Sequence, residues 1–119
     1  MAATSFDLVG PHAIEKGFPW EFLFTRLNPD RTPIDLTGCR AELVLLDATD
    51  PTAAPLRFDT ESGHVALGGA EGTTAIRLSG EDTRGIAETH SRYRLTFIDA
   101  AGNASLFFRG RVAYLEAAG

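Results

Sequence analysis

The chain has 119 residues, a formal net charge of −5, 44 % apolar residues and 23 % charged residues. This is an ordinary globular mixture, and one domain of this length buries roughly two-thirds of the surface that its unfolded chain exposes. The acidic balance argues against general nucleic-acid binding, which depends on cation–phosphate contacts. No apolar run approaches the roughly 20 residues of a membrane span. Because the N-terminus also lacks the basic start and apolar core of a signal peptide, we expect synthesis in the cytosol without secretion by that route.

Cys39 is the only cysteine, so the chain cannot form an internal disulfide. One thiol and three scattered histidines make no metal-binding set. Cys39 lies at the start of a predicted strand, where a small, partly buried apolar role is the simpler interpretation. The alternative is a nucleophile with His12, His64 or His90 as its base, although no histidine stands out by its local context.

Strand patterns begin near the N-terminus. Residues 1–13 form a predicted arm with a short strand from Phe6 to Val9. From Phe18 to Arg26, aromatic residues recur at the two-residue period of a strand with one buried face. A polar turn and a corner, residues 28–38, lead to a second apolar strand from Arg40 to Asp47. Two strands joined by such a corner are typical of an antiparallel sandwich rather than of a catalytic site.

Proline and glycine divide the middle of the chain into short strands. Residues 48–55 form a loop whose two prolines oppose regular strand pairing. Short strands are predicted at Leu56 to Phe58, His64 to Leu67 and Thr74 to Leu78. The acids around the loop are compatible with a calcium site, but their spacing matches no defined calcium loop, and solvated loop acids are the more common outcome. These acids are Asp47, Asp50, Asp59 and Glu61.

Ser79-Gly80-Glu81-Asp82 has the serine-then-acid spacing of a capping box and predicts one short helical turn near residues 80–87. The alternative is that Glu81 and Asp82 are paired catalytic acids. Adjacent helical residues do not face each other, and acids in a first turn ordinarily complement the helix dipole. The cap is therefore the favoured interpretation.

The last part of the chain predicts a hairpin with its tip at Ala101-Gly102. Apolar and polar residues alternate on both sides of this tip. One register makes the two apolar faces coincide, and it pairs Leu95 with Phe108 and Phe97 with Leu106.

The same register brings four arginines and a phenylalanine together on the outer face: Arg92 opposite Arg111, Arg94 opposite Arg109, and Phe107 opposite Thr96. Like charges directly across a ladder are destabilising, so the cluster needs an explanation. One explanation is neutralisation by acids on neighbouring strands, such as Glu42 or Glu116. The other is docking on an acidic, partly apolar protein surface, because arginine and aromatic residues are enriched in interfaces. RNA binding is a weaker interpretation, since no ring pair or lysine halo accompanies the arginines.

Five segments, in this order along the chain, resemble a domain of tailed bacteriophages. They are KGFPWEFLFT, TPIDLTGCRAELVL, LRFDTESGHVALGG, TAIRLSGEDTRGI and YRLTFIDAAGNASLFFRGRVAYL. From Ile14 to Leu115, the chain is similar to the immunoglobulin-like N-terminal domain of phage baseplate upper proteins and related small virion proteins. The more specific segments are residues 33–38, residues 60–63 and the hairpin that ends at Gly110-Arg111-Val112.

The strand pattern and this resemblance together predict an all-β fold. We expect a single antiparallel immunoglobulin-like β-sandwich of seven to nine short strands at residues 14–119, preceded by an interaction arm at residues 1–13. The expected core is Trp20, Phe22, Phe24, Leu43, Leu45, Ile76, Tyr93, Leu95, Phe97, Leu106, Phe108 and Val112.

The resemblance implies a non-enzymatic structural component of a phage particle, made in the bacterial host cytoplasm. Its partners would be other virion proteins and copies of itself in a symmetric multi-copy assembly, with no cofactor, metal, nucleic acid or membrane. The baseplate domain leads into receptor-binding segments, whereas this chain ends at Gly119, so we expect a tail, baseplate or neck accessory or a capsid decoration. The expected protein contacts are Arg92, Arg94, Phe107, Arg109 and Arg111 on the outer face, with Phe6 and Leu8 in the arm.

The rival hypothesis is a carbohydrate-binding β-sandwich, which would need exposed aromatic rings. Trp20 and most phenylalanines follow the buried alternation, which leaves Phe18, Phe58 and Phe107 as candidate rings. An enzyme is the weakest hypothesis, because the sequence shows no base-and-nucleophile or metal-binding set.

Overall fold

The computed structural model describes residues 4–115, which form ten strands, one α-helix and two short 3-10 turns, the latter at Gly10–His12 and Gly69–Glu71. The strands and helix are β1 (Thr4–Ser5), β2 (Ile14–Glu15), β3 (Trp20–Thr25), β4 (Arg40–Leu46), β5 (Leu56–Asp59), β6 (Val65–Leu67), β7 (Thr73–Leu78), α1 (Gly80–Arg84), β8 (Arg92–Ile98), β9 (Ala104–Arg111) and β10 (Tyr114–Leu115). Within the described part, no helix is long and apolar enough to cross a membrane.

Two sheets form the layers of a β-sandwich. The larger sheet has the strand order β1-β9-β8-β4-β5, and the smaller has the order β3-β7-β6. A further pair, β10-β2, lies beside them. The ladders are antiparallel except for β1 on β9 and β2 on β10, which are parallel. The predicted fold class, an all-β immunoglobulin-like sandwich, is confirmed.

The core is a single cluster that draws on both sheets. Eight of the predicted core residues are buried in it: Trp20, Leu43, Leu45, Ile76, Tyr93, Leu95, Phe97 and Val112. Phe22, Phe24 and Phe108 are partly buried against it. Further members that the strand pattern did not single out are Leu8, Ile14, Leu36, Ala41, Val65, Leu78 and Ile86. Cys39 is partly buried and packs against the cluster, as the simpler interpretation of this residue predicts.

The predicted capping box is confirmed at the start of α1. The Ser79 hydroxyl accepts a hydrogen bond from the Asp82 backbone N–H, and the Asp82 carboxylate accepts one from the Ser79 backbone N–H. The hydrogen bond from the Ser79 backbone N–H to the Asp82 carboxylate is the largest cause that lowers the pKa of Asp82 from its usual value. The helix also holds the entry to β3, because the buried Thr83 hydroxyl donates to the Phe18 carbonyl and accepts from the Gly17 N–H.

The described part of the arm lies on this chain's own sandwich, so the predicted boundary after residue 13 does not separate it from the core. Phe6 N–H donates to the Arg109 carbonyl, and Leu8 N–H donates to the Arg111 carbonyl. Leu8 is buried in the core cluster, and the Phe6 ring packs against other aromatic rings of the same chain. The buried Leu8 side chain is therefore not available to another subunit, whereas the Phe6 ring is only partly buried and its contact role stays a prediction.

The β8–β9 hairpin has two halves with different registers. In the root half, Arg92, Tyr93, Arg94 and Leu95 pair with Arg111, Gly110, Arg109 and Phe108, and the predicted register is confirmed. In the tip half, Thr96, Phe97 and Ile98 pair with Leu106, Ser105 and Ala104. A β-bulge between the halves leaves Phe107 without a partner on β8. The predicted pairs Phe97–Leu106 and Thr96–Phe107 are wrong by one residue.

The turn explains the shift. The Asp99 N–H donates to the Asn103 carbonyl, and the Gly102 N–H donates to the Asp99 carbonyl. The loop therefore has three residues, 100–102, and Gly102 has φ +88°, as the last residue of such a loop requires. A loop with an odd number of residues sets a register at the tip that differs by one residue from the register at the root, where the buried side chains determine the pairing. The bulge absorbs the difference, and it leaves Leu106 on the outer face beside Thr96 rather than in the predicted core.

Candidate docking surface

The outer face of the larger sheet carries a cluster of arginines that we call the arginine face: Arg92, Arg94, Arg109 and Arg111. They come from the root half of the hairpin, where the ladder places Arg92 opposite Arg111 and Arg94 opposite Arg109. Side chains two residues apart on one strand lie about 6.6–6.8 Å apart along it, and directly opposed side chains are closer. The four guanidinium groups therefore form a compact basic patch on an acidic protein.

A groove of about 470 Å³ runs between these side chains. Its lining residues are Ser5, Asp7, Leu46, Arg92, Tyr93, Arg94, Arg109, Gly110 and Arg111. Ser5 pairs with Arg109 through the β1–β9 ladder, so the described part of the arm forms one wall of the groove.

Asp7 is the acid that pairs with the arginine face. Its carboxylate accepts hydrogen bonds from the Arg111 backbone N–H at 3.0 Å and from the Arg111 guanidinium at 3.1 Å. Those two bonds, the backbone one first, lower the pKa of Asp7 from 3.8. No local sequence pattern indicates this pair, because the two residues are 104 positions apart and meet only when β1 packs on β9.

The predicted neutralisation by Glu42 does not occur. Glu42 pairs instead with Arg57, at 3.5 Å, while Glu116 lies outside the described residues. Among residues 4–115, no carboxylate lies within ion-pair distance of Arg92, Arg94 or Arg109. Three of the four arginines therefore lack an acidic partner in the part of the chain that the structure describes.

Aliphatic side chains lie beneath the arginine face. Val44 is only 2 % exposed although it is on the outer face, where Arg94 and Arg57 are its cross-strand neighbours. Long arginine side chains commonly cover apolar surface with their methylene stems while the guanidinium stays in water. Leu46, which pairs with Arg92, is partly buried in the same way. The surface is consequently basic at its tips and apolar at its base.

Phe107 does not belong to the arginine face, and its predicted place there is wrong. The bulge turns its ring into the aromatic cluster, where its centroid lies 5.6 Å from that of Phe24 and 5.4 Å from that of Phe97. The Arg26 guanidinium lies 4.3 Å from the Phe107 ring centroid and 4.6 Å from the Phe97 centroid. This cation–π geometry holds Arg26 against the two rings, where partial burial lowers its pKa.

The structure also brings together a serine, a histidine and an aspartate, which the sequence did not indicate. The Ser62 hydroxyl lies 2.7 Å from Nδ1 of His64, and Nε2 of His64 lies 3.0 Å from the Asp82 carboxylate. The order of groups is that of a nucleophile, a base and an orienting acid.

The surroundings of this Ser62–His64–Asp82 set favour a structural role. The Ser62 N–H donates to the Asp59 carboxylate and the Gly63 N–H donates to the Thr60 carbonyl, so both amides nearest the hydroxyl are already used. An acyl-transfer site needs such amides to stabilise the oxyanion. The Ser62 hydroxyl is also held by the Asp59 backbone. The set therefore links the turn after β5 to α1, and the absence of enzymatic activity stays a prediction.

The acids around the loop at residues 48–55 have partners other than a metal ion. Asp47 accepts hydrogen bonds from the Thr49 hydroxyl, the Thr49 N–H and the Asp50 N–H. These bonds, the hydroxyl one first, lower its pKa to about 2. Asp50 and Asp59 accept from neighbouring turn residues, and Glu61 pairs with Arg40. Within residues 4–115, no three histidine, cysteine or acidic side chains gather as a potential metal site.

The aromatic rings that a carbohydrate platform would need are mostly used internally. Of the three candidate rings, Phe58 and Phe107 are partly buried and pack against the core cluster. Phe18 is exposed. Over the described residues, the three candidates therefore do not form a shared aromatic surface.

No protein-family model matches the sequence, and no curated protein matches it. Among solved structures, the first immunoglobulin-like domain of human CD48 antigen is similar, with 13 % sequence identity and a TM-score of 0.40. The match covers 98 % of this chain and 85 % of that chain. A likeness at this level carries no argument about function.

Proposed function

We propose that this protein is a non-enzymatic docking module that binds a carboxylate-rich protein surface through the arginine face, as a structural component of a tailed-phage particle. The observation that carries the proposal is the set of opposed arginines without acidic partners. Arg94 faces Arg109 directly, and neither has a carboxylate within reach among residues 4–115.

The energetics support a binding role. Directly opposed like charges destabilise a ladder by a fraction of a kcal/mol up to about 1 kcal/mol. A partner that places carboxylates between the arginines removes this repulsion and adds charge-assisted, bidentate hydrogen bonds. The aliphatic base at Val44 and Leu46 supplies the apolar part of such a contact. Docking thus turns an internal repulsion into an attraction.

The phage setting rests on the resemblance of the five sequence segments. In that setting the module would sit at the tail, baseplate or neck, or decorate the capsid. A contact the size of one sheet face is small, and many symmetric copies would strengthen attachment through avidity. Virion partners would then include a protein with an acidic surface patch.

Incorporation into particles tests both parts of the proposal. Particles are grown with tagged wild-type protein, with the double variant Arg94→Glu/Arg109→Glu, or with the control Arg31→Glu, and are purified and quantified by mass spectrometry. Arg31 lies in the exposed turn after β3 and has no ion pair among the described residues, so its variant changes charge away from the arginine face.

We expect wild type and the Arg31→Glu control in the particles and the double variant absent from them. If the double variant is incorporated equally, the arginine face is only solvated surface. If the wild type is missing from the particles, the phage setting is wrong. A pull-down with an acidic partner surface would then test docking separately.

A further inference from the structure

The strand β3 lies at an open edge of the smaller sheet. One side of β3 pairs with β7 from Trp20 to Thr25, and the sheet order β3-β7-β6 has no strand beyond it. Outside the strand ladders, no backbone hydrogen bond among residues 4–115 involves Trp20 to Thr25. Every second residue of this six-residue edge therefore presents an N–H and a carbonyl without a backbone partner in the described chain.

This edge lacks the features that normally prevent strand addition. Proteins protect edges with proline, lysine, bulges or inward-pointing charges. The β3 sequence, WEFLFT, has neither proline nor lysine, and its register with β7 is continuous. Pro19 directly precedes the strand and therefore limits an added ladder to the six strand residues. Its one charge, Glu21, is held by Arg77 at 2.7 Å on the neighbouring strand.

Exposed apolar side chains also concentrate along this edge. Five large apolar residues are exposed in the described chain: Val9, Phe18, Leu23, Leu27 and Leu115. Three of them belong to β3 or flank it. Leu23, at 55 % exposure, is at the centre of the strand, with Phe18 before its start and Leu27 after its end. A strand added at this edge would therefore cover apolar side chains that are exposed in the single chain.

The pattern is self-complementary, and we propose that two copies of this chain pair antiparallel through β3 about a two-fold axis at Leu23. In this register, Leu23 meets Leu23 of the second copy, and Leu27 meets Pro19 beside Phe18 of the second copy. Glu21 meets Thr25, so no like charges oppose each other. The partly buried rings of Phe22 and Phe24 meet on the inner side, and the two three-stranded sheets become one of six strands.

The size of the contact sets the expected strength. Six strand residues extend about 20 Å, and one edge with its flanking side chains buries less than the roughly 800 Å² per partner of a standard interface. We therefore expect a concentration-dependent dimer that multiple copies would reinforce. Because β3 belongs to the smaller sheet, this contact is separate from the arginine face on the larger one.

Sedimentation over a concentration series tests the dimer, with Leu23→Lys as the disrupting variant. Leu115→Lys is the matched control, because Leu115 is 51 % exposed but lies on β10. We expect wild type and control to dimerise alike and Leu23→Lys to raise the dissociation constant roughly tenfold or more, since two lysines would face each other across the new ladder. Equal melting temperatures for the two variants show that folding is unaffected.

A cysteine cross-link tests the register. In a Cys39→Ser background, Leu23→Cys places the two sulfurs across from each other, where opposed Cβ atoms lie about 4.5–5.5 Å apart. We expect a disulfide-linked dimer on mild oxidation, and none from Leu115→Cys in the same background. A wild type that stays monomeric at every concentration, or equal cross-linking by both variants, would overturn the proposal. Capture of a different protein at this edge in place of a second copy would do the same.

Discussion

The root and the tip of the β8–β9 hairpin have the same alternating sequence pattern but follow different rules. At the root, the core determines the register: Tyr93 and Leu95 are buried, and Arg92 and Arg94, which alternate with them, are exposed. At the tip, the three-residue loop determines the register, which differs by one residue from the register at the root. When the core and the turn require registers that differ by one residue, a β-bulge between them allows one hairpin to satisfy both.

The bulge also stabilises the fold, because it allows the Phe107 ring to be buried. In the register predicted from alternation, Phe107 would face solvent beside the arginines. In the structure its ring joins Phe24 and Phe97, with the Arg26 guanidinium above it. Burying an aromatic ring is worth more than one regular pair of ladder hydrogen bonds. The inward turn of Phe107 thus helps to hold the bulge in place.

Replacing Phe107 gives the largest expected effect. Phe107→Ala should lower the free energy of unfolding by about 2–3 kcal/mol, somewhat less than for a fully buried phenylalanine, because the ring is only partly buried. Its neighbour Leu106, on the outer face, is the control, and Leu106→Ala should cost about 1 kcal/mol or less. Urea unfolding measures both. A larger loss from Leu106→Ala would mean that alternation, rather than the bulge, describes the tip.

A smaller loss is expected from Gly110→Ala at the root. A Cβ at residue 110 would lie 2.5 Å from the Phe6 carbonyl oxygen and 2.7 Å from the Asp7 carboxylate, so the arm must move. We expect a cost of about 1–3 kcal/mol. Amide exchange should accelerate at Phe6, whose N–H bonds to β9.

Gly85→Ala is the control for this substitution, because a Cβ at residue 85 meets only ordinary contacts at 3.6 Å. Its thermal unfolding should differ little from that of the wild type. Unchanged exchange at Phe6 in Gly110→Ala would show that the arm does not pack on the root as described.

Charge reversal at the root should stabilise the fold slightly. Arg94→Glu converts the opposed Arg94–Arg109 pair into one of opposite charge and should raise the free energy of unfolding by about 0.2–1 kcal/mol. Arg77→Glu is the inverse control, because it sets two acids opposite each other at Glu21. Thermal melts at low and high salt measure both, and both changes should shrink with added salt. A destabilised Arg94→Glu would indicate that the arginine face is neutralised internally.

This result bears on docking as well. The single variant Arg94→Glu is tested for incorporation in the same way as the double variant. Greater stability together with loss of incorporation would separate loss of binding from loss of folding. The repulsion between the opposed arginines at the root would then be explained by binding to a partner. The tip residues, in contrast, contribute to packing and to the turn.

The smallest effect concerns pH. The pKa of Asp7 is lowered from 3.8 by the Arg111 backbone N–H and guanidinium. A group with a lowered folded-state pKa contributes stability above its unfolded value and loses it as the pH falls through the folded value. Stability of the wild type should therefore decline more steeply below about pH 4 than that of Asp7→Asn. Parallel acid-unfolding curves for the two proteins would show that the Asp7–Arg111 pair contributes nothing to the free energy of unfolding.

Local sequence patterns were enough for the longer strands, the capping box and the root register. These features depend on residues that are close together in the sequence. Examples are the alternation in β3 and β4 and the spacing of Ser79 and Asp82. The root register followed because buried residues occur on both strands at matching positions. The strand predicted from Phe6 to Val9 is wrong, because the arm pairs as a strand only at Thr4–Ser5 and makes a single bridge at Leu8.

The remaining features depend on residues that are distant in sequence. Asp7 meets Arg111 only because β1 adds to β9, and no local pattern reports this parallel pairing. The bulge depends on the length of the hairpin loop and on Arg26. Arg26 directly follows β3 and is therefore far from Phe107 in the sequence. His64 and Asp82 are likewise brought together only by the packing of α1 near β6.

The two parallel ladders determine how the domain bears a pulling force. β1 runs alongside β9, and β2 runs alongside β10, in the same direction. A force applied to the chain before Thr4 and after Leu115 draws the paired strands in opposite directions, so their hydrogen bonds are loaded in shear and resist together. Pulling Arg92 and Arg111 apart would instead unzip the hairpin one pair at a time. Optical-tweezers measurements with handles at these positions should therefore record a higher rupture force along the first axis than along the second.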